Sequence, residues 1–355
     1  MNRAVIRADG SKELGMGHIM RSIGLAQGFR KKGIETLFLT KDVSSAPIRT
    51  INDYGFEAKK EPADLPLQED LTLIKQVAGE FNADLIVTDL CNAEILEQKE
   101  KYEKYLKGLG KSPFFLITID DLNTSLRFNS DIVVNPNYGI PEDDYVSQPE
   151  DTELLLGPKY FIFRDEFIEA AKKQRKIKET AKNILVSVGG SDQLSVNEKV
   201  AEALVSLEVE DLHVKFILGI DSDSKGRLES ILASFKGEVN LIEDCSNMAE
   251  QMLWADLAIT GGGLTKYETA VTGTPSIILS QARHQHDLMR KFKEEKTCRY
   301  LGLGKDVSFK DISNNLADVI GDVRLREAMS SNGKEIVDGN GKNRILREID
   351  YLDST

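Results

Sequence analysis

Residues 258–277 read AITGGGLTKYETAVTGTPSI. A short apolar run ends in Gly261, Gly262 and Gly263, and a helix-period segment starts near Leu264–Thr265. Gly273 and Pro275 stop that helix and lead into a second apolar run, Ser276–Leu279. Strand, glycine loop, helix and strand in one stretch is the repeating piece of an α/β fold. A simple strand-to-helix turn seldom needs three glycines. Backbone N–H groups laid bare there can hold a diphosphate without a cationic side chain. Glu268 falls about one turn into the helix. Its carboxylate can accept from two neighbouring ribose hydroxyls, or can simply complement the positive helix end.

The same pattern extends in both directions. Asn183–Val188, His213–Leu218, Val239–Ile242 and Leu257–Thr260 read as strands, with helices at Val196–Leu207, Asn247–Trp254, Leu264–Thr272 and Gln285–Glu295. Upstream, strands are expected at Ala4–Arg7, Glu35–Thr40, Asp84–Thr88, Phe114–Ile119 and Asp131–Asn135. Helices are expected at Met16–Lys32, Glu69–Phe81 and Ala93–Leu109. Runs such as LIVT and FFLITI are continuously apolar, as parallel strands covered on both faces are. The two series are separated by Ala170–Lys182, AAKKQRKIKETAK, a helix tail and linker without a strand. The expected organisation is two doubly wound Rossmann-like domains, 1–170 and 183–340, facing a central cleft. The amphipathic run 343–352, within a C-terminal segment 341–355, is expected to cross back to the first domain.

The first strand leads into a second glycine loop, ADGSKELGMGH, residues 8–18. Gly15 and Gly17 permit tight turns and close ligand approach, but the third glycine of a dinucleotide fingerprint is missing. That weakens a redox enzyme using NAD. His18 starts the helix, where the positive dipole end is expected to keep its imidazole neutral and fit to act as a general base. A plain loop histidine is the alternative. A third loop, SVGGSD at 187–192, brings Gly189, Gly190 and Ser191 to a strand end, as a phosphate contact or a mere turn. In RHQHD, 283–287, His286 is expected to face the cleft, or else to sit in a solvated helix cap. Asp120 and Asp121 end an apolar strand, where they can bind and orient a substrate or a catalytic partner, or equally cap the turn that follows, and only one of them need point inward.

Composition narrows the classes. Of 355 residues, 41% are hydrophobic, which excludes disorder. Lys and Arg number 46 against 58 Asp and Glu, a net charge of −12, opposite to a generic nucleic-acid or anionic-membrane binder. The three cysteines, Cys91, Cys245 and Cys298, are too scattered for a disulfide framework or a zinc cluster. No signal-peptide core and no run of about 18 apolar residues is present, so a cytoplasmic protein without stable membrane insertion is expected.

Taken in order, IRADGSKELGMGHIMR (6–21), IDDL (119–122), VVNPN (133–137), LLGPKYFIFRDEF (155–167), ILVSVGGSD (184–192) and the GGGLTxxE helix start resemble the PseG/SpsG family of GT-B proteins. That family includes the UDP-sugar hydrolase of pseudaminic acid biosynthesis and spore-coat polysaccharide proteins. The resemblance implies a UDP-2,4-diacetamido-2,4,6-trideoxy-β-L-altropyranose hydrolase, or one acting on a close UDP-sugar. In that family water attacks the anomeric carbon with inversion, and the resemblance gives His18 the role of the base. It further implies that Gly262, Gly263, Leu264, Thr265 and Glu268 hold UDP, and that Arg21 and Asn137 lie in substrate-binding stretches. No metal and no cofactor is expected. The competing expectations are a glycosyltransferase, in which His18 activates a sugar hydroxyl, and a non-catalytic nucleotide-sugar binding module. GGGLT and RHQHD lean towards the lipid-sugar transferase pattern of GT-B enzymes.

Overall fold

In a computed structural model, residues 1–90, 97–110, 113–124, 126–145, 148–189, 192, 194–219, 224–243 and 245–353 are described. Two compact units emerge: Met1–Asp165 together with Asn340–Thr355, and Glu166–Gly339.

The first unit alternates β1 (Arg3–Ala8), α1 (Gly17–Lys31), β2 (Glu35–Lys41), α2 (Ser45–Asp53), β3 (Glu57–Glu61), α3 (Leu67–Phe81) and β4 (Leu85–Asp89). It continues through α4 (Lys99–Leu109), β5 (Phe115–Ile119), β6 (Ile132–Asn135) and β7 (Glu153–Leu156). All pairings are parallel, in the order β3-β2-β1-β4-β5-β6-β7. The central strands β1, β4 and β5 are buried almost throughout, one face under α1 and the other under α3 and α4. That is why their sequences read as unbroken apolar runs. Ile19, Ile23, Ala26 and Phe29 of α1 are all fully buried, as their helical spacing predicts.

Residues Gly341–Asp353 form a helix whose Ile345 and Ile349 join the α1 side of this core. Gly28 of α1 makes that approach possible, since a Cβ there would stand 2.9 Å from the Leu346 side chain. The first unit is thus discontinuous in sequence.

After α5 (Asp165–Ala171), the second unit contains β8 (Asn183–Ser187), α6 (Val196–Val205), β9 (His213–Leu218), α7 (Lys225–Leu232), β10 (Glu238–Glu243) and α8 (Met248–Trp254). Next come β11 (Leu257–Gly261), α9 (Thr265–Val271), β12 (Ser276–Ser280), α10 (Arg283–Glu294), β13 (Arg299–Leu303), α11 (Phe309–Gly321) and α12 (Val323–Ile336). The helix at Gly341–Asp353 is α13. The sheet is again all parallel, in the order β10-β9-β8-β11-β12-β13.

The stretch read as a linker is held to the second unit by arginines. Arg175 donates to Ala255 O at 2.6 Å and to Thr274 Oγ1 at 2.8 Å. Buried Arg326 donates to Lys178 O at 2.8 Å and to Glu179 O at 2.7 Å. Residues 172–182 therefore pack as part of that unit.

Strands β3, β7 and β13 and helices α2, α7, α11 and α12 are additional to the sequence expectation. β3 is EAKKE, an edge strand that tolerates charge because one side meets solvent. Its one fully enclosed side chain, Glu61, joins a buried cluster around Arg7 of β1. Arg7 Nη1 lies 2.6 Å from Asp9, its Nη2 lies 2.8 Å from Asp70, and it also contacts Glu61. Tyr105 donates to Asp70 at 2.9 Å. Burial pushes the Glu61 carboxyl up to about 8, Arg7 opposes this, and Asp70 and Asp9 add to the rise. Among the described residues no helix is long and apolar enough to cross a membrane.

Candidate active site

In doubly wound sheets, the crevice at the carboxyl ends of the strands opens where the strand order reverses. In the first unit that point lies between β1 and β4, whose last residues Ala8 and Asp89 are register partners. His18, in the first turn of α1, reaches across it. Its Nδ1 lies 2.6 Å from Asp89 Oδ1. Arg21, one turn further along α1, donates from Nε to Asp89 Oδ2 at 2.9 Å and from Nη2 to Oδ1 at 2.5 Å. Its Nη1 stands 3.0 Å from Asp121 Oδ2. A histidine, an arginine and two carboxylates thus converge, although the sequence places His18 and Asp89 71 residues apart.

Burial works against ionisation of the Asp89 carboxyl. Arg21 and His18 overcome it, holding this group below the usual carboxylate range. For His18, burial pulls the pKa down, but Asp89 and Asp121 outweigh burial and Arg21, and the net shift is upward. The shift runs opposite to the one expected from the helix end alone. Two carboxylates at close range dominate the partial charge of a helix terminus. With Nδ1–H donated to Asp89, the tautomer is set and Nε2 keeps its lone pair. That arrangement suits a base whose protonated form the carboxylate stabilises.

The other predicted residues of this unit sort clearly. Arg21 is 1% exposed and its guanidinium is held between Asp89 and Asp121, tying the two carboxylates together. Asp120 is fully buried, accepting from Tyr145 Oη at 2.7 Å and Thr124 N at 3.0 Å. Burial raises its pKa against those hydrogen bonds. Asp121 is the partner that remains partly open, its side chain 19% exposed. Asn137 Nδ2 donates to the Asp121 carbonyl at 2.6 Å and to Asn135 Oδ1 at 3.2 Å, fixing the backbone at 121. Gly15 adopts φ +81°, closing a turn with Ser11 through Gly15 N to Ser11 O at 2.8 Å. Gly17 is the first residue of α1.

In the second unit the switch point lies between β8 and β11. Gly261 ends β11 under the Val188 carbonyl, which a Cβ at 261 would meet at 2.4 Å. Gly262, Gly263 and Leu264 form the loop, and Thr265 and Glu268 lie in the first turn of α9. Gly262 lies against Ser280, whose Oγ is 2.9 Å from Tyr300 Oη; that hydroxyl in turn is 2.7 Å from His286 Nδ1. The structure therefore brings His286 to the glycine loop through two hydroxyls. Lys266, 2% exposed, donates from Nζ to the Gly262 carbonyl at 3.2 Å. Gly189 follows β8 at φ +115°. Gly190 and Ser191 lie outside the described residues, as do Cys91 and the first four residues of the helix expected at Ala93–Leu109. Asp89, Lys266 and Tyr300 were not singled out from sequence. Only Asp89 carried a signal, a carboxylate closing the apolar run LIVTD.

Two doubly wound parallel sheets with their polar clusters at the strand ends define a GT-B protein. Over 99% of the chain the fold matches the crystal structure of Acinetobacter baumannii MurG, TM-score 0.67 at 13% identity, covering all of that chain. Residues 183–341 match the glycosyltransferase family 28 C-terminal domain. The chain is 28% identical to spore coat polysaccharide biosynthesis protein SpsG of Bacillus subtilis, over 98% of its own length and 97% of that protein. It is 30% identical to the uncharacterized protein MJ1062 of Methanocaldococcus jannaschii, over 98% of itself and 70% of that protein. A UDP-2,4-diacetamido-2,4,6-trideoxy-β-L-altropyranose hydrolase of Campylobacter jejuni matches at 24% identity over 70% of this chain and 81% of its own. The chain belongs to the PseG/SpsG-like family of GT-B proteins.

Proposed function

We propose that the protein hydrolyses a UDP-linked diacetamido-trideoxy sugar, or a close UDP-sugar, in cytoplasmic synthesis of a surface polysaccharide. The observation that carries this reading is the His18–Asp89 pair, in which Nδ1 is engaged and Nε2 is left as an acceptor. Nε2 takes a proton from water, the water oxygen bonds to the anomeric carbon, and the bond from that carbon to the diphosphate oxygen breaks. The sugar leaves with inverted configuration and UDP leaves with the bonding electron pair. Asp89 stabilises the imidazolium as it forms. In the second unit, the backbone of 262–265 takes the diphosphate and Glu268 the ribose. The activity of the Campylobacter relative supports this choice of substrate.

A second reading has its own support. The match to a glycosyltransferase family 28 domain and the fold likeness to MurG favour sugar transfer, in which the same base deprotonates an acceptor hydroxyl.

The test is phosphorus NMR of the purified protein with the UDP-linked diacetamido sugar and no acceptor. Hydrolysis predicts UDP release by the wild type that collapses in His18→Ala while UDP still binds. UDP binding without release would overturn hydrolysis in favour of transfer.

A further inference from the structure

Lys266 is an unusual residue to find enclosed, because moving an ammonium out of water is costly unless the charge is used. It is 2% exposed on the first turn of α9, with Nζ 4.9 Å from the Tyr267 ring centroid and 6.0 Å from that of Phe292. Long helical side chains lean back towards the helix start, and Lys266 does so, reaching the Gly262 carbonyl four residues earlier at 3.2 Å.

That contact has a geometric effect on the loop. A peptide unit is planar and trans, so the carbonyl of one residue and the N–H of the next point in opposite directions. With the Gly262 carbonyl turned inward onto the ammonium, the Gly263 N–H faces the opposite side, away from the buried lysine. The loop is roomier at its second position: a Cβ on Gly263 would meet nothing nearer than Gln285 Nε2 at 3.6 Å, whereas one on Gly262 would meet Ser280 Oγ at 2.6 Å. The cation, bonded to the carbonyl of the same peptide, lies on the side opposite to this donor.

We infer that Lys266 is a positioning residue for anion binding: it fixes the 262–263 peptide with its N–H outward and adds positive potential behind it, for the diphosphate of a nucleotide. The inference rests on the reading above that this loop holds UDP.

The variant Lys266→Met keeps the length of the side chain and places an apolar group among aromatic rings. A merely structural lysine predicts a lower melting temperature and equal losses for every ligand. The positioning role predicts a melting temperature kept or raised, UDP and inorganic pyrophosphate bound at least tenfold more weakly by calorimetry, and uridine affinity unchanged. Wild type and variant binding both anions within twofold of each other would overturn the role and leave the UDP reading standing. Pyrophosphate binding that the variant weakens, in a wild type that ignores UDP, would support the role and defeat the UDP reading. Should Lys266→Met not fold, Lys266→Gln, which removes the charge but keeps a polar end, supplies the same comparison, with the anions and uridine expected to part in the same way. A wild type that binds neither anion overturns both.

Discussion

Replacing Asp89 with asparagine tests the base assignment most directly. Asp89 accepts from His18 Nδ1 at 2.6 Å and from Arg21 at 2.9 and 2.5 Å, with Ser22 Oγ at 3.4 Å. Asparagine has the same shape but one acceptor oxygen and one N–H₂ group. At least one of the charged contacts must meet a donor instead, and the tautomer with Nε2 free is no longer enforced. Loss of the carboxylate from a histidine–aspartate pair costs about 10³–10⁴-fold in turnover, or roughly 4–5.5 kcal/mol of barrier. The pH profile moves as well. A base works when deprotonated, so the wild-type rate of UDP release rises with pH through the His18 pKa, which lies above its ordinary 6.5. Without the Asp89 charge that midpoint falls, while the plateau drops by the factor above. UDP release followed from about pH 5 to 9 measures both quantities. Thermal melting is run alongside, because leaving Arg21 with one carboxylate fewer costs up to about 3–5 kcal/mol of stability. A folded Asp89→Asn enzyme with a plateau within threefold of wild type, or an unmoved midpoint, would refute the base assignment.

Glu61 keeps its proton in the folded protein up to about pH 8, whereas its ordinary value is 4.5. Between those values the unfolded chain has lost the proton and the folded one has not, so this group makes folding less favourable as pH rises. Glu61→Gln removes that slope, and urea denaturation should show the variant gaining on wild type by up to about 1.4 kcal/mol per pH unit across the window; a constant difference would contradict it. Gly261→Ala drives a methyl group against the Val188 carbonyl, at 2.4 Å, where both partners are backbone. It should cost about 1–3 kcal/mol and weaken UDP binding, both absent if the β8–β11 spacing adjusts freely.

The chain announced its interior more clearly than its edges. Strands β1, β4, β5, β8, β11 and β12 are enclosed on both faces, so burial is written into every position of AVIR, LIVT or SIIL. EAKKE and RYLGL lie at sheet edges, where solvent on one side removes that constraint and the apolar pattern with it. The site divides in the same way. His18 was visible because a helix start after a glycine loop is a local feature. Asp89 was not, since its importance comes from β4 pairing with β1, a relation between distant segments. The same blindness reversed the direction expected for the His18 pKa: the helix end is near in sequence, the carboxylates only near in space. Of Asp120 and Asp121, sequence left the choice open, and Tyr145 settles it by closing over Asp120.

The return of α13 to the first unit bears on how the chain is made. During synthesis the sheet of β1 to β7 emerges early, yet the side of α1 that receives Ile345 and Ile349 stays uncovered until residues 341–353 have left the ribosome. The second unit, continuous from Glu166 to Gly339, has all its strands in hand before then. The part that starts first is completed last, and a nascent chain arrested near residue 340 would present an apolar stripe on α1 to whatever chaperone meets it.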